Sequence, residues 1–197
     1  MQIKKATFVT SLTGNQRFTG QGLPQIAIAG KSNVGKSSLI NCLCNQGKLA
    51  RVSAAPGKTR LVNIFRINDD FHLVDLPGYG YARVSHGMKE DWAGMMEDYL
   101  SGSEELCHIF HLVDIRHEPG EHDVQMQAWI QHNQVPCTVI ATKSDKLSRA
   151  QQQKSITLIC RKLGVQPWDV IPFSSENRDG RDKLLHRIDV VLGRVEE

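Results

Sequence analysis

Gly30-Lys31-Ser32-Asn33-Val34-Gly35-Lys36-Ser37 constrains this chain more than any other stretch. It follows the apolar run Ile26-Ala27-Ile28-Ala29 and opens onto Ser38-Leu39-Ile40-Asn41-Cys42-Leu43. An apolar β-run, a glycine-bounded loop and a helix form the context that makes G-x-x-x-x-G-K-[ST] a P-loop. Its glycines let the backbone wrap an anion with N–H groups inward, and the following helix adds the positive end of its dipole. Lys36 sets a compact cation on the β- and γ-phosphates, and the Ser37 hydroxyl is a ligand for Mg²⁺. A chance glycine loop would show these four fixed positions on the order of once in a hundred chains of this length. A bound nucleoside triphosphate is therefore expected on residues 30–38.

A length of 197 residues suits one domain with a full core and is short for two. The hydrophobic share of 40% and charged share of 23% fit a soluble α/β protein. Neither a membrane span nor an apolar signal core is visible, so a cytoplasmic protein is expected. Cys42, Cys44, Cys107, Cys137 and Cys160 are scattered and odd in number, which reads as reduced, buried thiols. The net charge of +3 permits a polyanionic partner without requiring one.

Hydrophobic patterning sets out the chain. Ala6–Leu12 reads as an edge strand and 13–24 as a connector, apart from a nucleotide-binding domain over 25–197. Gln25–Ala29 is a core strand whose unbroken apolar character suits a sheet covered on both faces. A helix runs from about Lys36 to Asn45, then a long loop over Gly47–Arg60. Leu61–Asn68 alternates and pairs with Phe71–Asp75 as a hairpin. Helices are expected over Lys89–Leu100, Glu121–His132 (with Val124, Ala128 and Trp129 in helical spacing), Arg149–Leu163 and Asp182–Leu192. Leu106–Val113, Val135–Thr142 and Asp169–Phe173 are the remaining strands. The expected fold is a three-layer α/β P-loop fold: a mostly parallel six-stranded sheet, one antiparallel strand, helices on both faces.

Ligands of such sheets bind beyond the carboxyl ends of the strands, and three further stretches fall there. Asp75-Leu76-Pro77-Gly78 supplies an acid that can hold Mg²⁺ through water and a glycine N–H that can sense a γ-phosphate. Thr142-Lys143-Ser144-Asp145 places a carboxylate that can accept from the N1–H and N2–H₂ edge of guanine, which adenine lacks. Lys143 can lay its stem along the base, and Phe173-Ser174-Ser175 offers backbone N–H groups to the guanine O6. Singly these motifs are weak and more often helix caps; their order behind a P-loop makes them specific.

The set resembles the translation-factor class of GTPases, with Thr59 of Pro56-Gly57-Lys58-Thr59-Arg60 as the switch I threonine. With Asp-Leu-Pro-Gly-Tyr-Gly-Tyr-Ala added, the whole chain looks like the EngB (YihA/YsxC) family of bacterial GTP-binding proteins. The motifs themselves place Mg²⁺ on Ser37, Thr59 and Asp75 and catalytic roles on Lys36, Thr59 and Gly78, with hydrolysis expected to be slow. The resemblance implies a role in assembling the large ribosomal subunit with its rRNA and a link to normal cell division and septation; a monomer off the membrane is expected.

Two departures from the general pattern matter. Thr142 stands where asparagine is commoner, so contact with the base and the tie to the P-loop should weaken. Tyr79 follows Gly78 where many GTPases carry a water-positioning glutamine, and a phenol cannot orient water in the same way. In related GTPases an asparagine at the Asn33 position helps hold K⁺; equally, Asn33 simply tolerates the loop's backbone.

Other signals have bland readings. His108 and His111 lie three apart on a strand and face opposite sides. Trp92, Trp129 and Trp168 read as core or half-core, and Asp114 with Arg116 as loop structure. Arg178, Arg181, Lys183, Arg187 and Arg194, with Lys4, Lys5 and Lys162, could face RNA phosphates, but such charges are usually a solvated surface. A metabolic P-loop kinase and a GTP-sensing module without hydrolysis stand as the alternatives.

Overall fold

The structure, a computed structural model, describes all residues except 14–15, 17, 51–60, 81–98, 100–102 and 197. The strands are β1 (Ala6–Leu12), β2 (Gln25–Gly30), β3 (Val62–Ile67), β4 (Phe71–Asp75), β5 (Leu106–Asp114), β6 (Cys137–Thr142) and β7 (Val170–Phe173). The described helices are α1 (Lys36–Cys44), α2 (Glu121–His132), α3 (Arg149–Leu163) and α4 (Arg181–Val191). The expected helix over Lys89–Leu100 lies outside the described residues apart from Tyr99.

The sheet order is β1-β3-β4-β2-β5-β6-β7. It has seven strands rather than six, because the N-terminal segment joins it: β1 pairs antiparallel with β3, with an irregularity between Phe8 and Thr10. β3 is the strand that runs against the others, joined to β4 by a hairpin whose Asn68 and Asp69 take positive φ. Asn68 does more than turn. Its Oδ1 accepts from the Lys4 and Lys5 N–H groups and its Nδ2 donates to Gln2 O, holding the N-terminal segment in place.

β2 is buried throughout and lies between β4 and β5, both parallel to it. The two-residue pleat sends Ile26 and Ile28 to one core, with Leu39 and Leu43 of α1 and Leu184 and Ile188 of α4. Ala27 and Ala29 face the other core, with Met126 and Ile130 of α2. α3 covers β6 and β7 through Ile159 and Leu163, and Ser148 caps it by accepting from the Gln151 N–H. The chain leaves β2 toward β4 on one side and later β5 on the other. That reversal opens a crevice at the carboxyl end of β2.

Two expectations need correction. On α2 the inward positions are Asp123, Met126, Gln127 and Ile130, while Ala128 faces out. Trp168 is not core: it is 71% exposed on a short 3₁₀ turn. Trp129 is half-buried, and Trp92 lies outside the described residues. Cys42 and Cys44 are buried, the other three cysteines half-buried, and all five are free.

His108 and His111 face opposite sides, as their spacing requires. His108 Nε2 lies 2.9 Å from Thr138 Oγ1, and the ring meets Phe110 edge-on. Burial, with Arg187 adding to it, pushes the imidazole down to about 4. The unfolded chain therefore takes up a proton below about pH 6.5 that the native state refuses until about pH 4. Stability should be full above that window and fall as pH drops through it, by about 2–3 kcal/mol at pH 4.5 from this group. Burial lowers His72 and His111 too, which adds to the loss. Urea melts between pH 7 and 4.5 should show a shallower decline for His108→Gln; an unchanged slope would reject the assignment.

Candidate nucleotide-binding site

β2 ends at Gly30, and the loop 31–35 carries the chain into α1. A Cβ at Gly30 would stand 2.9 Å from Leu112 O and from Val34 Cγ1, so no other residue fits there without a shift. Asn33 takes φ +61 and Gly35 φ +119, which curl the loop. Gly35 leads into α1 without a side-chain cap, and no acid sits in the first turn. The first-turn N–H groups, those of Lys36, Ser37 and Ser38 among them, thus meet the loop without a competing side chain.

Asp75, the last residue of β4, lies beside Lys36. Burial raises its carboxyl to about 6, with Lys36 and a hydrogen bond involving Asn63 opposing the rise. Burial in turn lowers the Lys36 ammonium, with Asp75 opposing. Asp75 Oδ1 is buried with no hydrogen-bond partner among the described residues. A buried carboxylate oxygen left open beside a hydroxyl-bearing P-loop is the donor set that a hard cation such as Mg²⁺ takes. Ser37 and Asp75 fit that ion. Thr59, its third expected ligand, lies outside the described residues, as do Gly57, Lys58 and Arg60.

The segment after Asp75 is laid on the P-loop. Leu76 N–H donates to Ile28 O at 3.1 Å, Tyr79 N–H to Gly30 O at 3.4 Å, and Ser32 N–H to Tyr79 O at 3.1 Å. Leu76 and Pro77 are buried. Gly78 approaches Ser32 so closely that a Cβ would be 2.6–2.8 Å from its Oγ, Cα and N. A glycine is required there by contact, not by φ.

Thr142, the last residue of β6, keeps the tie that its type was expected to weaken. Its Oγ1 lies 2.7 Å from Val34 O and 3.1 Å from Val113 O. A hydroxyl reaches the loop carbonyl because β6 ends close to the P-loop. Lys143, at φ +63, sends Nζ to Asn33 O (3.1 Å) and Asp114 Oδ2 (2.9 Å). Asp114 thus has a role that its sequence context did not reveal. Burial would raise its carboxyl, but hydrogen bonds from Arg116 and Lys143 hold it well below the usual range.

Asp145 sits on the 3₁₀ turn Ser144–Lys146, where Gln152 Nε2 braces the loop through Ser144 O and Leu147 O. Ser174 Oγ donates to Asp145 Oδ1 at 2.6 Å and accepts from the Glu176 N–H at 3.1 Å. Lys146 Nζ is 2.9 Å from Asp145 Oδ2. Ser174 and Lys146 together lower the Asp145 carboxyl, so it stays ionised. The two stretches expected to read a base, 142–145 and 173–175, therefore meet through a direct side-chain bond. Phe173 itself is buried in the core, 1% exposed, and Ser175 is half-buried.

The basic residues expected to face phosphates are partly committed elsewhere. Arg181 donates to Cys42 O and Leu43 O at the carboxyl end of α1, and Arg178 to Asn45 Oδ1. Arg194 pairs with Asp70 and Asp189, Lys5 with Asp69, and Lys162 with Glu118.

Comparison with known proteins agrees with this geometry. Residues 25–143 match the family model described as 50S ribosome-binding GTPase. The probable GTP-binding protein EngB of Alkaliphilus oremlandii is 51% identical over 98% of this chain and 93% of its own. That of Clostridioides difficile is 49% identical over 95% of this chain and 93% of its own. Among solved structures, a probable GTP-binding protein engB matches the fold with a TM-score of 0.73 at 24% identity, over 87% of this chain and 99% of that one. Era in complex with MgGDPNP and nucleotides 1506–1542 of 16S ribosomal RNA matches with a TM-score of 0.62 at 24% identity, over 89% of this chain and 57% of that one.

Proposed function

This chain belongs to the EngB family of GTP-binding proteins, GTP-hydrolysing enzymes, and on that premise we propose a slow GTP-driven switch in assembly of the large ribosomal subunit. The observation that supports it best is the stitching of four strand-end segments into one crevice. Thr142 holds Val34, Gly78 lies on Ser32, Lys36 faces Asp75, and Ser174 holds Asp145.

In this reading residues 25–197 carry the nucleotide and residues 1–24 extend the sheet. The loop N–H groups of 30–38 and Lys36 bind the phosphates, and Gly78 N–H takes the γ-phosphate. Asp145 and Lys143 hold the guanine, with Ser174 and Ser175 beside it. Ser37, Thr59 and Asp75 would hold Mg²⁺, which would supply neutralisation of phosphate charge. Lys36, Thr59 and Gly78 carry the catalysis, which is slow because Tyr79 orients no water. Asn33 has a positive φ, a conformation asparagine tolerates well, which explains its presence without K⁺. Equal hydrolysis rates in K⁺ and Na⁺ would exclude K⁺ beside it.

The partner class rests on the matched family's description, 50S ribosome-binding GTPase. No helix among the described residues is long and apolar enough to cross a membrane. In this reading the protein acts in the cytoplasm as a monomer. A link to cell division and septation would follow from the same role.

Co-sedimentation with purified ribosomal subunits tests this directly. The protein should pellet with the large subunit in a non-hydrolysable GTP analogue and much less in GDP, at both low and moderate salt. Equal binding in both states that collapses with salt would reduce the contact to a basic surface meeting RNA.

A further inference from the structure

Tyr79 is where the mechanism above leaves a question, because it occupies the place of a water-positioning residue yet is 4% exposed. Its hydroxyl lies 2.8 Å from His111 Nε2 on β5 and donates to Asp123 Oδ1 on α2 at 2.9 Å. His111 Nδ1 is in turn 2.8 Å from Gln127 Oε1. Asp123 Oδ2 accepts from the Gly120 N–H at 2.8 Å and meets Lys31 Nζ at 2.7 Å. His111, Asp123 and Gln127 are all buried. A polar cluster has thus displaced apolar side chains on the inner face of α2, and every member of it has a partner.

The cluster grips the nucleotide crevice from behind at two points. Lys31 follows Gly30 at the start of the P-loop. The Tyr79 backbone is bonded in both directions to Gly30 and Ser32, and Gly78 is pressed onto Ser32. We propose that His111 and Asp123 are positioning residues for the GTP reaction. Acting through the Tyr79 hydroxyl, they turn the ring into the protein and set Gly78 over the P-loop before nucleotide arrives.

This rests on the switch reading, in which the Gly78 N–H takes the γ-phosphate. A contact already in place costs less ordering when GTP binds, and GDP, with no γ-phosphate, gains nothing from it. The anchor therefore acts on the ratio of GTP to GDP affinity, not on nucleotide binding in general. Two buried hydrogen bonds, each about a factor of 5, set the scale at about 25-fold.

The experiment measures the affinities of GDP and a non-hydrolysable GTP analogue, and single-turnover hydrolysis. The proteins are the wild type, Tyr79→Phe, Asp123→Asn and the double variant. Tyr79→Phe should weaken the analogue about 25-fold, leave GDP within about twofold, and slow hydrolysis in parallel. Asp123→Asn, which keeps only one acceptor oxygen and loses the charge facing Lys31, should lower the melting temperature. Its effect on the affinity ratio should vanish in the Tyr79→Phe background, since both act through one hydroxyl. An unchanged ratio in Tyr79→Phe, whatever the melting temperature, overturns the proposal, and so do additive effects on the ratio. A wild-type protein that binds both nucleotides equally instead removes the switch reading itself.

Discussion

Lys36→Ala should weaken GTP and GDP about 100-fold or more and cut hydrolysis at least as far, while the free protein melts near the wild-type temperature. The two halves have one cause. Burial already holds the Lys36 ammonium below its ordinary pKa, so the free protein gains little from it. Phosphate oxygens repay that burial, because charge-assisted hydrogen bonds are each worth about 1.5–3 kcal/mol. A donor aimed at developing charge is worth about a further factor of 100 in rate. Loss of Lys36 also removes the cation that opposes protonation of Asp75, whose carboxyl should then climb above about 6. Lys36→Met, which keeps the stem and discards the charge, should behave in the same way. Isothermal titration with either nucleotide checks this, and near-normal GTP affinity in Lys36→Ala would refute the assignment.

Asp145→Asn should lower GTP affinity about 10- to 100-fold and raise affinity for xanthosine triphosphate above that of the wild type. Guanine presents two donors on the edge that Asp145 is expected to meet, and a carboxylate accepts both. An amide there turns one acceptor into a donor facing a donor, at a cost of about 1–3 kcal/mol. Xanthine carries a carbonyl at position 2, so the same amide finds an acceptor. Ser174 Oγ–H can still donate to the Asn oxygen, which keeps the loop in place. The bond to Lys146 is exposed and contributes little to stability, so the melting temperature should barely move. Competition of both triphosphates against a fluorescent guanine nucleotide reads the outcome, and an unaltered base preference would mean that the base is read elsewhere.

Much of the candidate site could be read along the chain because each part is a local motif with a local reason. A loop that wraps an anion needs small residues at fixed spacing, and Gly30 and Gly35 show why in clashes and in φ. The helices announced themselves through apolar spacing and a Ser148 cap. What failed on α2 failed for a stated reason. Asp123 and Gln127 are polar residues in buried positions, so apolar periodicity pointed to Ala128 instead. Trp168 failed for the opposite reason, since a large aromatic suggests core and nothing local says that its turn faces solvent.

The sequence by itself determined the order of elements, the P-loop and the strand-end motifs. These depend on neighbours a few residues apart, where periodicity, φ restrictions and charge act directly. Only the tertiary structure decided which distant residues meet. Thr142 recovers its tie to Val34 across 108 positions, Ser174 finds Asp145, and the chain's first strand becomes the seventh in the sheet. Tyr79 belongs to that second group. Its identity says only that it cannot orient water. The chain beyond β4 crosses the carboxyl end of β2, and that crossing is what turns the Tyr79 hydroxyl onto His111 of β5 and Asp123 of α2. Such pairings are set by packing and by the need to satisfy every buried polar group, conditions that no short window of sequence contains.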